Sequence, residues 1–212
     1  MTSMTGQHHK RARAMVREIS NKPTAREILR ASEYRDESWK RAGITSLTRS
    51  MDLHTASRDA VRTCVKIFRD VVRERVLDEC TYVEPSAGTG AFLEFLPAED
   101  TIAMDILPRH PRVQRSEFLT WMPSDKRQKY AVVGAPPLGV RSDVSVAFVN
   151  HALEFAGVVG MIVRRHIGER QVPHGRLLRR EPLESAVTDM TGGFVRYEME
   201  FRVWGAVARD ES

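Results

Sequence analysis

The stretch from Tyr82 to Leu93 constrains the fold of this chain more than any other. It joins a short run of β-forming residues to a helix-like run through a turn that contains Gly88 and Gly90. Because glycine has no Cβ, this backbone can adopt positive φ and approach a ligand, and the N–H groups of a helix opening near Ala91 would face the same place. Glu84, at the end of the strand, can accept a hydrogen bond from a cation or a hydroxyl. The turn predicts either a ligand-binding loop or an ordinary strand-to-helix connection.

The size and composition of the chain favour one α/β domain with an appendage. The chain has 212 residues, of which 42% are hydrophobic and 29% are charged. No apolar run approaches the roughly 18 residues of a membrane span, so we expect no membrane partner. The net charge of +5 suits a partner rich in phosphate. A genome that favours arginine codons explains the charge equally well.

Features of the termini and the cysteines bear on location. Residues near the N-terminus form no apolar core of a secretory signal, and Cys64 and Cys80 suggest neither a disulfide framework nor a zinc site. We therefore expect an intracellular protein with no metal site. Residues 1–31 are rich in arginine, serine and threonine, so the choice between cytoplasm and mitochondrion stays open.

The apolar pattern divides the chain into a basic N-terminal extension, residues 1–50, and a domain, residues 51–212. The extension has too few apolar positions for its own core, so it docks on the domain, binds nucleic acid or a partner protein, or stays mobile. A helix is predicted from Ser57 to Leu77, because its apolar residues recur on one stripe. Further helices are predicted at 91–96 and 144–155, with Asp143 as the N-cap of the latter.

Strands are expected around these helices. They are predicted at 82–84, 101–105, 112–115, 130–134 and 157–163, and a closing hairpin around Thr191-Gly192-Gly193 would supply the last two from 184–187 and 197–204. In this hairpin Glu198, Glu200 and Arg202 would lie on a polar face. The arginines between Arg164 and Arg180 would form either a positive rim beside the site or a surface turn.

The string E-P-S-A-G-T-G-A-F-L at residues 84–93 resembles motif I of class I S-adenosylmethionine (SAM)-dependent methyltransferases, in the version of adenine-N6 nucleic-acid methyltransferases. The resemblance covers about residues 54–205. It implies a Rossmann-like, seven-stranded α/β sheet with helices on both faces. It also implies SAM as the cofactor and nucleic acid, with RNA favoured over DNA, as the partner.

This resemblance implies roles for individual residues. Thr55 and the helix after it are similar to an element that closes over the methionine end of the cofactor, although a plain covering helix fits as well. Asp105 would bond the ribose hydroxyls, and Glu117 with Phe118 would meet the adenine. The implied cofactor-binding residues are Glu84, Pro85, Ala87, Gly88, Gly90, Asp105, Ile106, Glu117 and Phe118.

The sequence G-A-P-P-L-G at 134–139 is similar to the G-N-P-P-F-G that follows the fourth strand of this family. In the family the Asn orients the target amino group and the aromatic ring stacks on a flipped base. Here Ala135 has no acceptor and Leu138 has no π face, with Pro136 and Pro137 between them. We therefore predict a degenerate catalytic motif.

Three functions follow from this sequence. The first is a methyltransferase-like protein without catalysis, serving as a structural or RNA-binding subunit of a larger assembly with protein partners. The second is an active methyltransferase on RNA or DNA that orients its substrate through the carbonyls of Ala135 and Pro136. The third is a methyltransferase that acts on a protein or a small molecule.

Overall fold

A computed structural model describes Arg30 and residues 55–75, 79–138, 142–183, 187–188 and 198–207. Arg30 is helical, and from residue 55 onward these ranges contain two α-helices, α1 (Arg58–Glu74) and α2 (Asp143–Ala152), with single 3₁₀ turns at Phe92–Glu94, Phe118–Thr120 and Glu169–Gln171. The strands are β1 (Thr55–Ala56), β2 (Cys80–Glu84), β3 (Thr101–Asp105), β4 (Gln114–Arg115), β5 (Lys129–Gly134), β6 (Val158–Arg164), β7 (Gly175–Leu183), β8 (Val187–Thr188) and β9 (Met199–Ala206).

Seven of these strands form one mixed sheet in the order β4-β3-β2-β5-β6-β9-β7. The strands from β4 to β6 are parallel, whereas β9 runs antiparallel to both β6 and β7. Parallel neighbours place their carboxyl ends at the same edge of a sheet, and ligands of open α/β sheets bind outside that edge. The prediction of a seven-stranded, Rossmann-like sheet is confirmed.

Helix α1 covers one face of the sheet with a stripe of apolar residues. Ser57 caps it by accepting a hydrogen bond from the N–H of Ala60 at 3.3 Å. Val61, Cys64, Val65, Phe68, Val71 and Val72 are buried on the sheet side of this helix. The helix ends at Glu74, three residues before the predicted Leu77, and residues 76–78 lie outside the described ranges.

Helix α2 covers the opposite face, where Val144, Phe148, Val149 and Ala152 are buried. Its N-cap is Ser142, in the left-handed region with φ of 62°, and Asp143 is the first helical residue. The N-cap predicted for Asp143 is therefore wrong by one residue. The prediction of helices on both faces is confirmed.

The helix predicted at 91–96 is reduced to a 3₁₀ turn, Phe92–Glu94. The N–H of Phe95 bonds the carbonyl of Phe92 at 3.0 Å, and the residue before a proline, here Leu96, is disfavoured in the α region. Because the turn is so short, the Gly-rich loop has no α-helix dipole behind it. A ligand would therefore have to be held by the Gly-rich loop itself and by the residues around it.

The closing strands differ from the predicted hairpin. Strand β9 includes most of the predicted 197–204, but its main partner is β7, which precedes the expected 184–187. The sequence pattern did not predict β7, because β7 is an edge strand with one side exposed. It also carries Pro182 and has a bulge between Leu177 and Arg179. The predicted turn at 191–193 lies outside the described residues.

Thr55 and Ala56 belong to a separate two-stranded pair. Their strand, β1, is antiparallel to β8, with Thr55 opposite Thr188 and Ala56 opposite Val187. The start of α1 is thus tied to a segment that precedes β9. Within the described residues, no helix has both the length and the apolar character needed to cross a membrane.

Candidate functional site

The Gly-rich loop lies at the carboxyl edge of the sheet, between β2 and the 3₁₀ turn. Gly88 and Gly90 have φ of +47° and +81°, conformations that other residues rarely adopt. The N–H of Gly90 bonds the carbonyl of Ala87 at 2.6 Å, and the N–H of Ala87 bonds Met104 of β3 at 3.0 Å. Positive φ at both glycines explains why this turn contains them.

Glu84 ends β2 and is 2% exposed. Within the described structure, its Oε2 atom has no hydrogen-bond partner. Burial, and next the charge of Asp105, raise the pKa of Glu84 well above its usual value, while Arg112 acts in the opposite direction. A buried acceptor without a partner is uncommon, and here it lies beside a loop of ligand-binding type.

Asp105 ends β3 and holds the Gly-rich loop. Its Oδ2 accepts the N–H of Gly88 at 2.8 Å, and its Oδ1 accepts the N–H of Leu107 at 2.7 Å. Burial raises the pKa of Asp105, although these two hydrogen bonds oppose the change. Both carboxylate oxygens are thus engaged, so a ribose would use their remaining lone pairs. Ile106, the next residue, is half-buried.

Arg109 and His110 lie against the two glycines, and the sequence predicted no role for either residue. A Cβ at Gly90 would lie 2.9 Å from Cγ of His110, and one at Gly88 would lie 3.2 Å from Nη2 of Arg109. The carbonyl of Gly88 also accepts the N–H of Arg109 at 3.0 Å. The loop is therefore packed from outside by the segment that follows β3.

Glu117 and Phe118 begin the 3₁₀ turn that follows β4. Glu117 is buried and accepts the N–H of Leu119 at 3.1 Å through Oε1. Phe118 is 1% exposed, and its ring centroid lies 5.1 Å from Phe148 and 5.0 Å from His151 of α2. In this geometry the ring of Phe118 is a core element with no free face for a base. The predicted adenine contact stays a prediction.

The degenerate motif follows β5 and packs on the Gly-rich loop. A Cβ at Gly134 would lie 3.2 Å from Cδ of Pro85, so the ends of β2 and β5 are in close contact. Ser86 donates its hydroxyl to the carbonyl of Ala135 at 3.0 Å. The first residue of the motif is thus placed directly beside the loop, as its proposed role requires.

The rest of the motif is held by α2. Ser145 donates its hydroxyl to the carbonyl of Pro137 at 2.9 Å. Pro136 is buried and Pro137 is half-buried. Leu138 is 4% exposed and belongs to the core on the α1 side of the sheet. The Leu138 side chain is thus a core element in this structure, and its part in the catalytic motif stays a prediction. The two serines carry no sequence signal that distinguishes them from ordinary polar residues.

The turn after β6 is the neighbour of this motif. His166 and Ser142 approach within 3.2 Å through Nε2 and Oγ, and Ser142 immediately precedes α2. Arg202 of β9 donates to the carbonyls of Arg165 and Ile167, both at 2.6 Å. A buried arginine thus fixes the turn that follows β6.

Three arginines of the predicted positive rim, Arg165, Arg179 and Arg180, are paired with carboxylates. Arg180 and Arg202 bond Oε2 of Glu200 at 2.7 and 2.8 Å, and Arg165 lies 3.4 Å from Oε1. Arg179 pairs with Glu74 at 3.1 Å. The expected polar face of β9 is buried as well, because β9 is an interior strand flanked by β6 and β7. The sequence pattern gave no sign of this ion network.

Comparisons with known proteins support the fold. Neither a protein-family model nor a curated protein sequence matches this chain. A protein from Pyrococcus horikoshii, provisionally assigned as an RNA methyltransferase, superposes with a TM-score of 0.52 and 14% identity over 69% of this chain and 84% of its own. The 23S rRNA methyltransferase ErmE superposes with a TM-score of 0.50 and 17% identity over 73% of this chain and 70% of its own.

These similarities define the class of fold to which the chain conforms. At such identities they establish the architecture alone, and together with the strand order they show a Rossmann-like class I methyltransferase fold. An adenine-N6 specificity does not follow from them, because one fold hosts many reactions.

Proposed function

We propose that this chain binds SAM beside its Gly-rich loop, is catalytically impaired, and acts as a structural or RNA-binding subunit of a larger assembly. The observation that carries the cofactor proposal is the partnerless Oε2 of Glu84, at the end of β2. SAM carries an ammonium group and a sulfonium, and either cation near Glu84 would compensate the burial of its carboxylate.

The same proposal assigns the remaining cofactor contacts. Gly88 and Gly90 allow the backbone to approach the ligand, with Pro85 and Ala87 forming the entry to the loop. Asp105 with Ile106 would meet the ribose, and Glu117 would face the adenine amino group. Phe118 would support this end of the site from the core.

Impairment follows from the motif after β5. A methyl group stands at Ala135 where an oriented acceptor is expected, and the carbonyl of Ala135 already accepts from Ser86. Loss of a positioned polar partner lowers the rate by roughly 10²–10⁴-fold, by analogy with general acid-base groups. The leucine at 138 points into the core and leaves no aromatic ring to stack on a base.

RNA as the partner is supported by two observations of different kinds. The net charge is +5, and two proteins that share the fold are described as RNA methyltransferases. Residues 1–50 would serve as a basic extension that binds nucleic acid or other subunits, and residues 51–212 would form the methyltransferase-like domain. Neither observation indicates where the partner subunits of an assembly would bind on this chain.

An active enzyme on RNA or DNA is the second candidate. Ser86 and Ser145 bond the carbonyls of Ala135 and Pro137 and so hold the backbone on both sides of Pro136. A carbonyl oxygen has two lone pairs, so those of Ala135 and Pro136 can still accept from a target amino group. This alternative predicts methyl transfer by the unsubstituted protein, whereas the first candidate predicts SAM binding without transfer.

Calorimetric titration with SAM and with S-adenosylhomocysteine tests the cofactor proposal. We expect micromolar binding that weakens at least about tenfold in Gly88→Val, because φ of +47° and the nearby Arg109 disfavour a β-branched side chain there. Gly168→Val is the matched control, since a Cβ there would meet only Oε1 of Gln171 at 3.8 Å.

The outcomes separate clearly. Binding that is lost in Gly88→Val and kept in Gly168→Val, with both proteins folded, supports the site. A folded, unsubstituted protein that binds neither ligand contradicts it and leaves only the structural role.

Ala135→Asn tests the impairment. If the scaffold is merely disabled, the substitution should raise methyl transfer to adenine-containing RNA by about 100-fold, measured with radiolabelled SAM. The buried position of Leu138 argues against adding Leu138→Phe, because overpacking this core would destabilise the protein by about 1–3 kcal/mol. No gain, despite intact SAM binding, would exclude a missing acceptor as the cause.

A further inference from the structure

The segment between β3 and β4 concentrates positive charge next to the candidate cofactor site. Four basic side chains, Arg109, His110, Arg112 and Arg115, occur within seven residues, and no acidic residue lies between Asp105 and Glu117. We call residues 109–115 the basic segment. It ends in β4, the strand at the outer edge of the sheet.

Two arginines of the basic segment differ from those near β7. Arg112 and Arg115 are exposed and donate to main-chain carbonyls, Arg112 to Ala98 at 3.3 Å and Arg115 to Ile106 at 3.2 Å. Within the described ranges no carboxylate lies at ion-pair distance from either guanidinium, although Glu99 and Asp100 follow Ala98 in the chain. Their charge is thus not neutralised by an ion pair.

The carbonyl contacts also hold both arginines in defined positions. An arginine that is already placed loses less side-chain entropy when it binds a phosphate, and its planar fork suits phosphate oxygens. By contrast, Arg165, Arg179 and Arg180 would have to give up carboxylate partners before they could bind a phosphate.

The basic segment adjoins the site through its first two residues. Arg109 and His110 pack against Gly88 and Gly90, the two glycines of the loop. A phosphate chain bound along Arg112 and Arg115 would therefore run past the mouth of the site and not across the far end of the sheet.

We propose that the basic segment binds the phosphodiester backbone of RNA, with Arg112 and Arg115 each contacting a phosphate. The identity of the partner as RNA depends on the proposed function, whereas the location depends on the charges and contacts above. Phosphate contacts carry no sequence information, so this surface sets the position of an RNA and its affinity but not its sequence.

Fluorescence anisotropy with a labelled single-stranded RNA of mixed sequence tests the proposal on the full chain. Replacing both arginines, R112A with R115A, should weaken binding roughly tenfold at low salt and flatten the salt slope by about 1.4, since each lost phosphate contact on a single strand removes about 0.7. The loss should be equal for unrelated RNA sequences.

Two control pairs make the result specific. R62A with R73A removes the same charge from α1, where Arg62 and Arg73 pair with Asp59 and Asp70, and should change affinity less than threefold. R112K with R115K keeps the charge but not the planar fork, so it should keep the salt slope and have an affinity between those of the unsubstituted protein and the alanine pair.

Three results would overturn the proposal: no RNA binding by the unsubstituted protein, an equal loss in the α1 pair, or a loss in the lysine pair as large as in the alanine pair. The last would trace the effect to the lost carbonyl contacts and not to charge. SAM titration of the unsubstituted protein is a separate readout, so the proposed function and the RNA surface can fail independently.

Discussion

At the scale of single residues, Glu84 is the group whose chemistry the structure changes most. A glutamate at the end of the first parallel strand was predicted from the sequence, but its isolation was not. Its Oε2 atom lacks a partner in the described structure, and its surroundings raise its pKa. The folded, empty protein therefore holds a proton on Glu84 at pH values where the unfolded chain has released it.

This proton has a defined effect on stability. Because the native state binds more protons than the unfolded state, stability falls as pH rises from about 4.5 toward the raised pKa. A cation at Glu84 favours the ionised carboxylate, so SAM affinity should rise with pH across the same window.

Glu84→Gln tests both effects. The variant should bind SAM more weakly by roughly tenfold, with a flatter pH dependence, and it should be at least as stable as the unsubstituted protein at neutral pH in the absence of ligand. Calorimetry and thermal melting between pH 5 and 8 provide the two measurements.

Glu99→Gln, on an exposed residue, is the matched control and should change neither property. A Glu84→Gln protein that binds SAM normally would show that the cation does not lie at this carboxylate.

For the other candidate site residues as well, the residue type alone did not predict the surroundings of the side chain. The pattern of polar and apolar residues around positions 117 and 138 could not show that Phe118 and Leu138 are buried in the cores on opposite faces of the sheet, because both are apolar residues that follow a strand. The residues that hold the loops, Ser86, Ser145 and His110, gave no signal in the sequence, because each acts through a partner remote in the chain or through its fit against a glycine.

At the scale of elements, the most informative feature is the contact of β9 with the turn after β6. Glu200 is 2% exposed in its side chain and Arg202 is 7% exposed, and together they connect β7, β9 and residues 165–167. The turn in turn meets Ser142 through His166. An ion network in the sheet thus fixes the turn after β6, which contacts the residue that precedes α2.

The ion network around Glu200 makes the stability of the protein depend on pH. Burial opposes ionisation, but the bonds from Arg180 and Arg202 prevail and lower the pKa of Glu200. An acid with a lowered pKa contributes stability above its unfolded value of about 4.5, and this contribution is lost as pH falls through the folded pKa.

Glu200→Gln should therefore destabilise the protein by about 3–5 kcal/mol at pH 7, because Arg202 stays buried without its carboxylate. The difference from the unsubstituted protein should shrink below about pH 4.5, as followed by urea denaturation at several pH values.

Glu198→Gln is the control, because the Glu198 side chain is 80% exposed and lies 3.7 Å from Arg165. Its effect should stay below about 1 kcal/mol. Equal losses in the two variants would contradict a special role of the buried network.

At the scale of the whole molecule, the seven strands of the main sheet and both α-helices lie within residues 55–207. The sheet closes through β9, and β1 pairs with β8 before α1 begins. The division into a basic extension, residues 1–50, and a domain, residues 51–212, stays a prediction.

A protein that starts at residue 51 should therefore fold and bind SAM within about threefold of the full chain, because β1 and every strand of the sheet are kept. Thermal melting and calorimetry check this expectation. RNA affinity should fall in this protein only to the extent that the extension contributes phosphate contacts of its own.

A second protein that starts at residue 57 removes β1 but keeps the cap of α1. It should lose hydrogen-exchange protection at Val187 and Thr188, the two residues with which β1 pairs. A protein from residue 51 that aggregates or fails to bind SAM would contradict the proposed boundary.

The sequence by itself determined the parts that local physics controls. The glycine pair fixed the turn after β2, the apolar stripe fixed α1, and buried runs fixed the parallel strands, because each depends on neighbours a few residues away. The tertiary structure decided what depends on long-range packing. It reduced the helix after the Gly-rich loop to one turn, paired β7 with β9, and paired Arg180 and Arg202 with Glu200. Burial and charge pairing join residues far apart in the chain, and no local pattern records them.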